Sequence, residues 1–212
     1  MSNSTSSNKL NRFTTLPFTI DLLKTKKLVL LNPNTWPDHN DVDILLNYKD
    51  KKKITSILAL CFTDGSETIH HWTAFSNTES GVCIEFDKKK LLNHLASDKH
   101  IRHQKVKYPI ISKTSNVLVD DIPFTKRYPY ECEREYRIIA ELDEEKQVYQ
   151  VDISLDAIVK ITLSPKLPAS TALSITEVLK TLIGDTPIII NHSSLFNNEE
   201  WIAGFKRRMT VL

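Results

Sequence analysis

Four glycines in 212 residues, Gly65, Gly81, Gly184 and Gly204, leave this chain few places to turn through left-handed conformations or to press its backbone against a ligand. Their spacing assembles neither G-x-G-x-x-G nor a P-loop, so a Rossmann- or Walker-type phosphate cradle is excluded. Any phosphate bound here must be held by side chains and ordinary backbone. The glycines read instead as punctuation: Gly65 in a turn after Phe62-Thr63, Gly81 leading into an apolar run, and Gly184 closing a helical pattern.

The length suits one domain with a substantial core, expected over 10–212 behind a disordered tail at 1–9. Twenty-eight Lys and Arg against 26 Asp and Glu give no global pull towards nucleic acid or membrane, so any recognition must be local. Met1–Asn8 is polar and lacks the apolar stretch of a signal peptide, and no run approaches membrane-spanning length. Three widely spaced cysteines, Cys61, Cys83 and Cys132, offer neither a zinc ribbon nor a disulfide framework. A cytoplasmic protein is the expectation, and the oligomeric state is not legible.

Apolar runs and alternation predict strands over 27–31, 54–62, 82–86, 106–108, 134–142, 147–152, 158–163 and 187–190. The 134–142 strand is expected to pair with 147–152 across the acidic turn at 143–146. Helical spacing predicts helices over 20–26, 68–75, 88–96, 171–183 and 197–208. The polar stretch 38–53 reads as a loop or a solvent-facing helix. This composition makes an α+β fold, a single domain with a mixed, mostly antiparallel sheet and flanking helices.

The densest chemical signal is Tyr128-Pro129-Tyr130-Glu131-Cys132-Glu133-Arg134-Glu135-Tyr136-Arg137. In extended backbone Glu133, Glu135 and Arg137 share one face, and Cys132, Arg134 and Tyr136 the other. Such a face is either a solvated strand with ion pairs or the wall of a cleft, where paired carboxylates orient a hydroxyl and stabilise a cationic transition state. Thr63 ends the run Cys61-Phe62-Thr63, where it forms a simple turn or holds a ligand. His70 and His71 are adjacent and cannot both ligate one metal from a regular helix, so no metal site is assigned. Trp72 is either core or a stacking platform. The segment 100–107 concentrates His100, Arg102, His103, Lys105 and Lys107, a solvated face or a local nucleic-acid patch.

Several of these segments together resemble the bacterial family catalogued as domain of unknown function 2971. The residues that carry the resemblance are LVLLNPNTWPD at 28–38, Cys61-Phe62-Thr63 with His71-Trp72, GVCIEFD at 81–87, Val106-Lys107-Tyr108, YECEREYRI at 130–138, ITLSP at 161–165 and Ser193-Ser194-Leu195. Trp36-Pro37-Asp38-His39-Asn40-Asp41 stands where that family often has an Asn-Asp-Pro-type element. The family implies a single cytoplasmic bacterial domain without an established activity or cofactor. The order of motifs is also similar to the ADP-ribosyltransferase superfamily, with Arg12 early, Thr63 in the middle and Glu133-Arg134-Glu135 late. Cys-Phe-Thr replaces that superfamily's usual Ser-Thr-Ser. This resemblance implies an NAD-handling enzyme, acting by fold analogy in conflict or defence between bacteria and phage. Glu135 would be its catalytic carboxylate and Glu133 would orient the acceptor, while Arg12, Thr63, Trp72 and Arg137 would hold the NAD. Two other classes stay open: a non-catalytic domain that binds a protein or nucleic acid, and a nuclease using Asp64, Glu133 and Glu135 with a divalent cation.

Overall fold

The computed structural model describes residues 8–209. Most of the expected tail falls outside that range, and Lys9 already stands in the first strand. In chain order the elements are β1 (Lys9–Thr15), α1 (Leu16–Thr25), β2 (Lys27–Leu31), α2 (His39–Lys52), β3 (Ser56–Thr63), α3 (Ile69–Phe75), β4 (Gly81–Asp87), α4 (Lys88–Leu95) and β5 (Ile101–Lys105). Three short 3-10 helices (Ile111–Asn116, Val119–Phe124 and Tyr128–Glu133) lead into β6 (Glu135–Leu142). Then come β7 (Val148–Asp152), β8 (Ile158–Leu163), α5 (Ala169–Ile183), β9 (Ile189–His192) and α6 (Glu199–Met209). Among the described residues no helix is long and apolar enough to cross a membrane.

One open, mixed sheet carries these strands in the order β5-β6-β3-β1-β4-β8-β9, and β2 joins β3 to β7. All pairings are antiparallel except β8 with β9, so the expected class holds. The middle of the sheet goes to β3 and β6 for a physical reason. SILALCFT and EYRIIAEL are buried on both faces and must be covered on both. The expected hairpin between β6 and β7 does not form. β7 buries only Val151 fully and is therefore suited to an edge, where it pairs with β2 instead. β1 and β5, with polar residues interleaved, are strands that the apolar pattern did not predict.

Helices cover both faces. On one side Leu22 and Leu23 of α1, Leu91 and Leu95 of α4, and Leu179 and Ile183 of α5 pack on Leu60, Ile84, Ile138 and Ile161 of the sheet. Each such side chain contributes about 1.5–3 kcal/mol on burial. The other face has two smaller apolar patches. One joins Leu45 and Tyr48 of α2 to Ile57, Ala59 and Ile139, and the other joins Trp72 of α3 to Phe13 and Cys83. The stretch expected to face solvent is thus a packed helix, with Asp41, Val42, Leu45 and Tyr48 as its buried stripe.

Between those two patches the sheet forks. β6 pairs with β3 from Ser56 to Thr63. On its other side β3 meets β1 at a single register pair, Asn11 with Thr63, and β2 at another, Leu31 with Ala59. The Cys61 carbonyl lies between these pairs, and it accepts a hydrogen bond from Nη1 of Arg12 at 3.1 Å. A side chain of β1 thereby completes a ladder that the backbone leaves open.

Candidate functional site

A cavity of about 460 Å³ opens at this fork. Register explains what lines it. Asn11 pairs with Thr63 and Thr63 with Glu135, so three segments distant in sequence are aligned across adjacent strands. Five of the six residues singled out from the sequence, Arg12, Thr63, Glu133, Glu135 and Arg137, line this one cavity. The sixth, Trp72, does not. It is 3% exposed, packs edge-on to Phe13 at 5.2 Å, and donates its Nε1–H to Glu67 at 2.7 Å. Its place is in the core behind the cavity.

The floor is an ionic network. Arg137 is fully buried. Its Nε and Nη2 grip Glu135 at 2.6 and 3.0 Å, and Nη1 and Nη2 grip Asp41 at 3.1 and 2.7 Å. A further hydrogen bond goes to the carbonyl of Pro123 at 3.0 Å, and the guanidinium lies 5.0 Å from the Trp36 ring centre. This is the bidentate geometry in which arginine and carboxylates bind most strongly. Lys126 bridges the two glutamates, 2.6 Å from Glu133 and 3.6 Å from Glu135.

Glu133 and Glu135 respond oppositely to burial. At Glu135 desolvation pushes the carboxyl up, but the charge and hydrogen bonds of Arg137, with Lys126, outweigh it and hold the group at about 2. At Glu133 desolvation dominates over Lys126 and raises the carboxyl above its ordinary value. Glu135 therefore stays ionised while Glu133 is the better proton acceptor. The sign for stability follows. The Glu135 contribution is complete above about 4.5 and is lost as pH falls towards about 2. We expect urea unfolding of Glu135→Gln to show a shallower loss of stability than the wild type between pH 4.5 and 2, and identical slopes would contradict this.

Arg12 is the exception among the cations that line the cavity. Among the described residues it makes no ion pair with a carboxylate, and its hydrogen bond goes to the Cys61 carbonyl. Desolvation, only partly offset by Cys61, lowers the guanidinium to about 10. A cation buried without an anion is costly, and here it stands in an open cavity. The Cys61 thiol lies nearby, and burial pushes it well above its ordinary value, which disfavours the thiolate.

Thr63 is held by a chain that sequence reasoning missed. Its Oγ1 donates to the Glu133 carbonyl at 2.7 Å and lies 3.3 Å from His71 Nε2. Since the hydroxyl proton is used, the network assigns the His71 proton to Nε2, leaving Nδ1 to accept from Thr68 Oγ1 at 2.9 Å. Burial lowers the basicity of His71, which stacks on Phe13 at 5.2 Å. Asp41 and Lys126 were also missed. The Asp41 signal was the helical spacing of 41, 42, 45 and 48; nothing in the sequence marks Lys126.

Glu133 departs from the expected alternation. It ends a 3-10 turn, and Arg134, in the left-handed region at φ 47°, turns the chain into β6. The two carboxylates still reach the same cavity. Asp64 does not join them: it pairs with Lys105 at 3.4 Å. Glu133 and Glu135 share Lys126 while Asp64 is paired elsewhere with Lys105, so the three carboxylates do not converge on one point. Among the described residues no group of three or more His, Cys, Asp or Glu is placed to hold a metal. The basic cluster at 100–107 is likewise engaged: Arg102 with Glu141, His103 with the Tyr136 hydroxyl, Lys105 with Asp64 and Lys107 with Asp121.

The segment from α3 to the start of β6 carries the family signal. Residues 71–138 match the family described as protein of unknown function (DUF2971). This match includes Lys126, Glu133, Glu135 and Arg137 of the cavity, whereas Arg12 and Thr63 lie before it. Three solved structures of Thermus sp. 2.9 DarT are similar to the chain at low identity. The complex with NAD+ is 7% identical, covers 88% of this chain and 95% of that one, and has a TM-score of 0.43. The complex with ADP-ribosylated ssDNA is 8% identical, covers 88% and 94%, and scores 0.45. The complex with carba-NAD+ is 7% identical, covers 92% and 97%, and scores 0.42. No curated protein matches the sequence.

Proposed function

We propose that this chain is an NAD-handling protein of the ADP-ribosyltransferase type, with the fork cavity as the dinucleotide site. One observation carries the reading: Arg12, Thr63 and Glu135, from three adjacent strands, line one cavity in which the arginine has no ion-pair partner among the described residues. In this reading Arg12 meets the pyrophosphate, completing the charge that folding leaves unpaired. Trp36, Phe75 and Tyr130, which also line the cavity, supply apolar surface for the rings.

The chemistry asks little more of the residues present. The bond from the ribose C1′ to nicotinamide breaks, and its electron pair leaves with the neutral base. Positive charge grows on the ribose and is stabilised by Glu135, which stays ionised. A nucleophile of the acceptor adds to C1′, and its proton passes to Glu133, whose raised carboxyl suits it to the task. The acceptor is a protein, a nucleic acid or a small molecule. A cytoplasmic setting and a part in bacterial defence against phage belong to the same proposal.

Thermal unfolding of the full chain with NAD is the direct test. At about a hundredfold excess over Kd, binding adds about 2.7 kcal/mol, a rise of several degrees at this size. Glu135→Gln is expected to keep most of that rise but to release nicotinamide about 10²–10³-fold more slowly. A wild-type chain that NAD does not stabilise overturns the reading.

A further inference from the structure

Two further clefts lie outside the fork cavity, and one side chain lines both. The first, about 310 Å³, is bordered by Lys9, Ser66, Glu85, Lys160 and Thr162. The second, about 620 Å³, is bordered by Lys105, Lys107, Tyr108, Glu131 and Cys132. Arg134 belongs to each and is absent from the fork cavity, although it sits between Glu133 and Glu135 in sequence.

The other cations of these clefts have carboxylate partners. Lys9 and Lys160 share Glu85 at 2.7 and 3.7 Å, Lys105 meets Asp64 at 3.4 Å, and Lys107 meets Asp121 at 2.8 Å. Glu67, a carboxylate of the first cleft, is taken by Trp72 Nε1 and the Ser193 hydroxyl. The Arg134 guanidinium has no hydrogen bond, ion pair or ring contact among the described residues. Its backbone, by contrast, is firmly held. The N–H donates to the Glu131 carbonyl at 3.1 Å, and the carbonyl accepts from Asp64 at 2.8 Å.

That hold keeps a non-glycine residue in the left-handed region at φ 47°. The side chain is seated as well as aimed. It lies along Gly65 so closely that a Cβ there would stand 3.3 Å from Arg134 Cδ and 3.5 Å from Cζ. The exposed guanidinium thus stands at the junction of two clefts with no bonded partner among the described residues.

We propose that Arg134 anchors a phosphoryl-binding site separate from the fork cavity. The planar guanidinium offers two parallel N–H donors to two oxygens of one phosphate. The Ser66 and Thr162 hydroxyls border the first cleft and add donors for a group with several oxygens. The site does not depend on the NAD reading, because it uses other residues and is tested without NAD.

Inorganic pyrophosphate, titrated calorimetrically into the full chain in low-salt chloride buffer, is the probe. The titration is made in an Arg12→Gln background, so that the fork cavity contributes no competing cation. That chain is expected to bind pyrophosphate saturably, and adding Arg134→Gln to weaken the affinity at least tenfold. Arg134→Lys, which keeps the charge without the planar fork, is expected to recover only part of the loss. The proposal is overturned if the background chain shows no saturable binding or if Arg134→Gln leaves the affinity unchanged.

Discussion

Replacing Arg137 by methionine is expected to lower the stability of the fold by about 3–5 kcal/mol, the cost of leaving buried charge uncompensated. The loss is large because Arg137 serves several acceptors at once. It neutralises Asp41 from α2 and Glu135 from β6, and it satisfies the Pro123 carbonyl. With the guanidinium gone, Lys126 remains 3.6 Å from Glu135, but no charge-assisted partner remains for Asp41. A chain of this size has about 5–15 kcal/mol in total, so the variant would sit near the edge of folding. Urea unfolding measures the loss directly. The triple variant Asp41→Asn, Glu135→Gln and Arg137→Met is expected to recover a substantial part of it, since it removes the stranded charges along with their partner. A loss below about 1 kcal/mol in the single variant would show that the network is not structural.

Arg12→Gln is expected to behave in the opposite way. Glutamine keeps a donor for the Cys61 carbonyl and removes a cation that folding leaves without an anion. The unliganded chain should therefore be as stable as the wild type or more so, whereas stabilisation by NAD should fall at least tenfold in apparent affinity. This pairing of retained stability with lost binding is what separates a ligand-directed arginine from a structural one. Equal stabilisation of both chains by NAD would remove Arg12 from the site. A collapse of unliganded stability would instead make it a strut of the fork. The two arginines thus make a matched test: Arg137 is consumed by the fold, and Arg12 is left over from it.

The sequence made this contrast only half visible. Glu133, Glu135 and Arg137 were readable because two carboxylates and a guanidinium in an extended run do not make an ordinary core. Thr63 was readable as the end of an apolar run, but Arg12 only through the order of motifs, since nothing local marks a strand at 9–15. What decided their meeting was the register of β1, β3 and β6, a long-range property that periodicity within one segment does not carry. Asp41 was hidden because the stretch around it is polar in composition although helical in its apolar spacing. Lys126 was hidden because it lies outside any regular strand or helix, placed by tertiary contacts alone. Trp72 failed for a different reason. An aromatic residue beside a motif serves equally as platform or as core, and only the packing of Phe13 and Cys83 against it decides.

The fork has a mechanical meaning as well. Parting β3 from β6 would break a ladder of eight register pairs, whereas parting β3 from β1 breaks one. The bonds that cross this second seam include Arg12 to the Cys61 carbonyl and Asn11 Nδ2 to the Gly65 carbonyl at 2.6 Å. Each is worth about 1 kcal/mol net. The sheet therefore has a line through it that few backbone pairs cross, and the cavity opens on that line. Across this line the two half-sheets are joined chiefly by side chains, through these hydrogen bonds and the apolar core in which Phe62 of β3 meets Phe86 of β4, while continuous ladders place Thr63 against Glu135 on one side and β1 against β4 on the other.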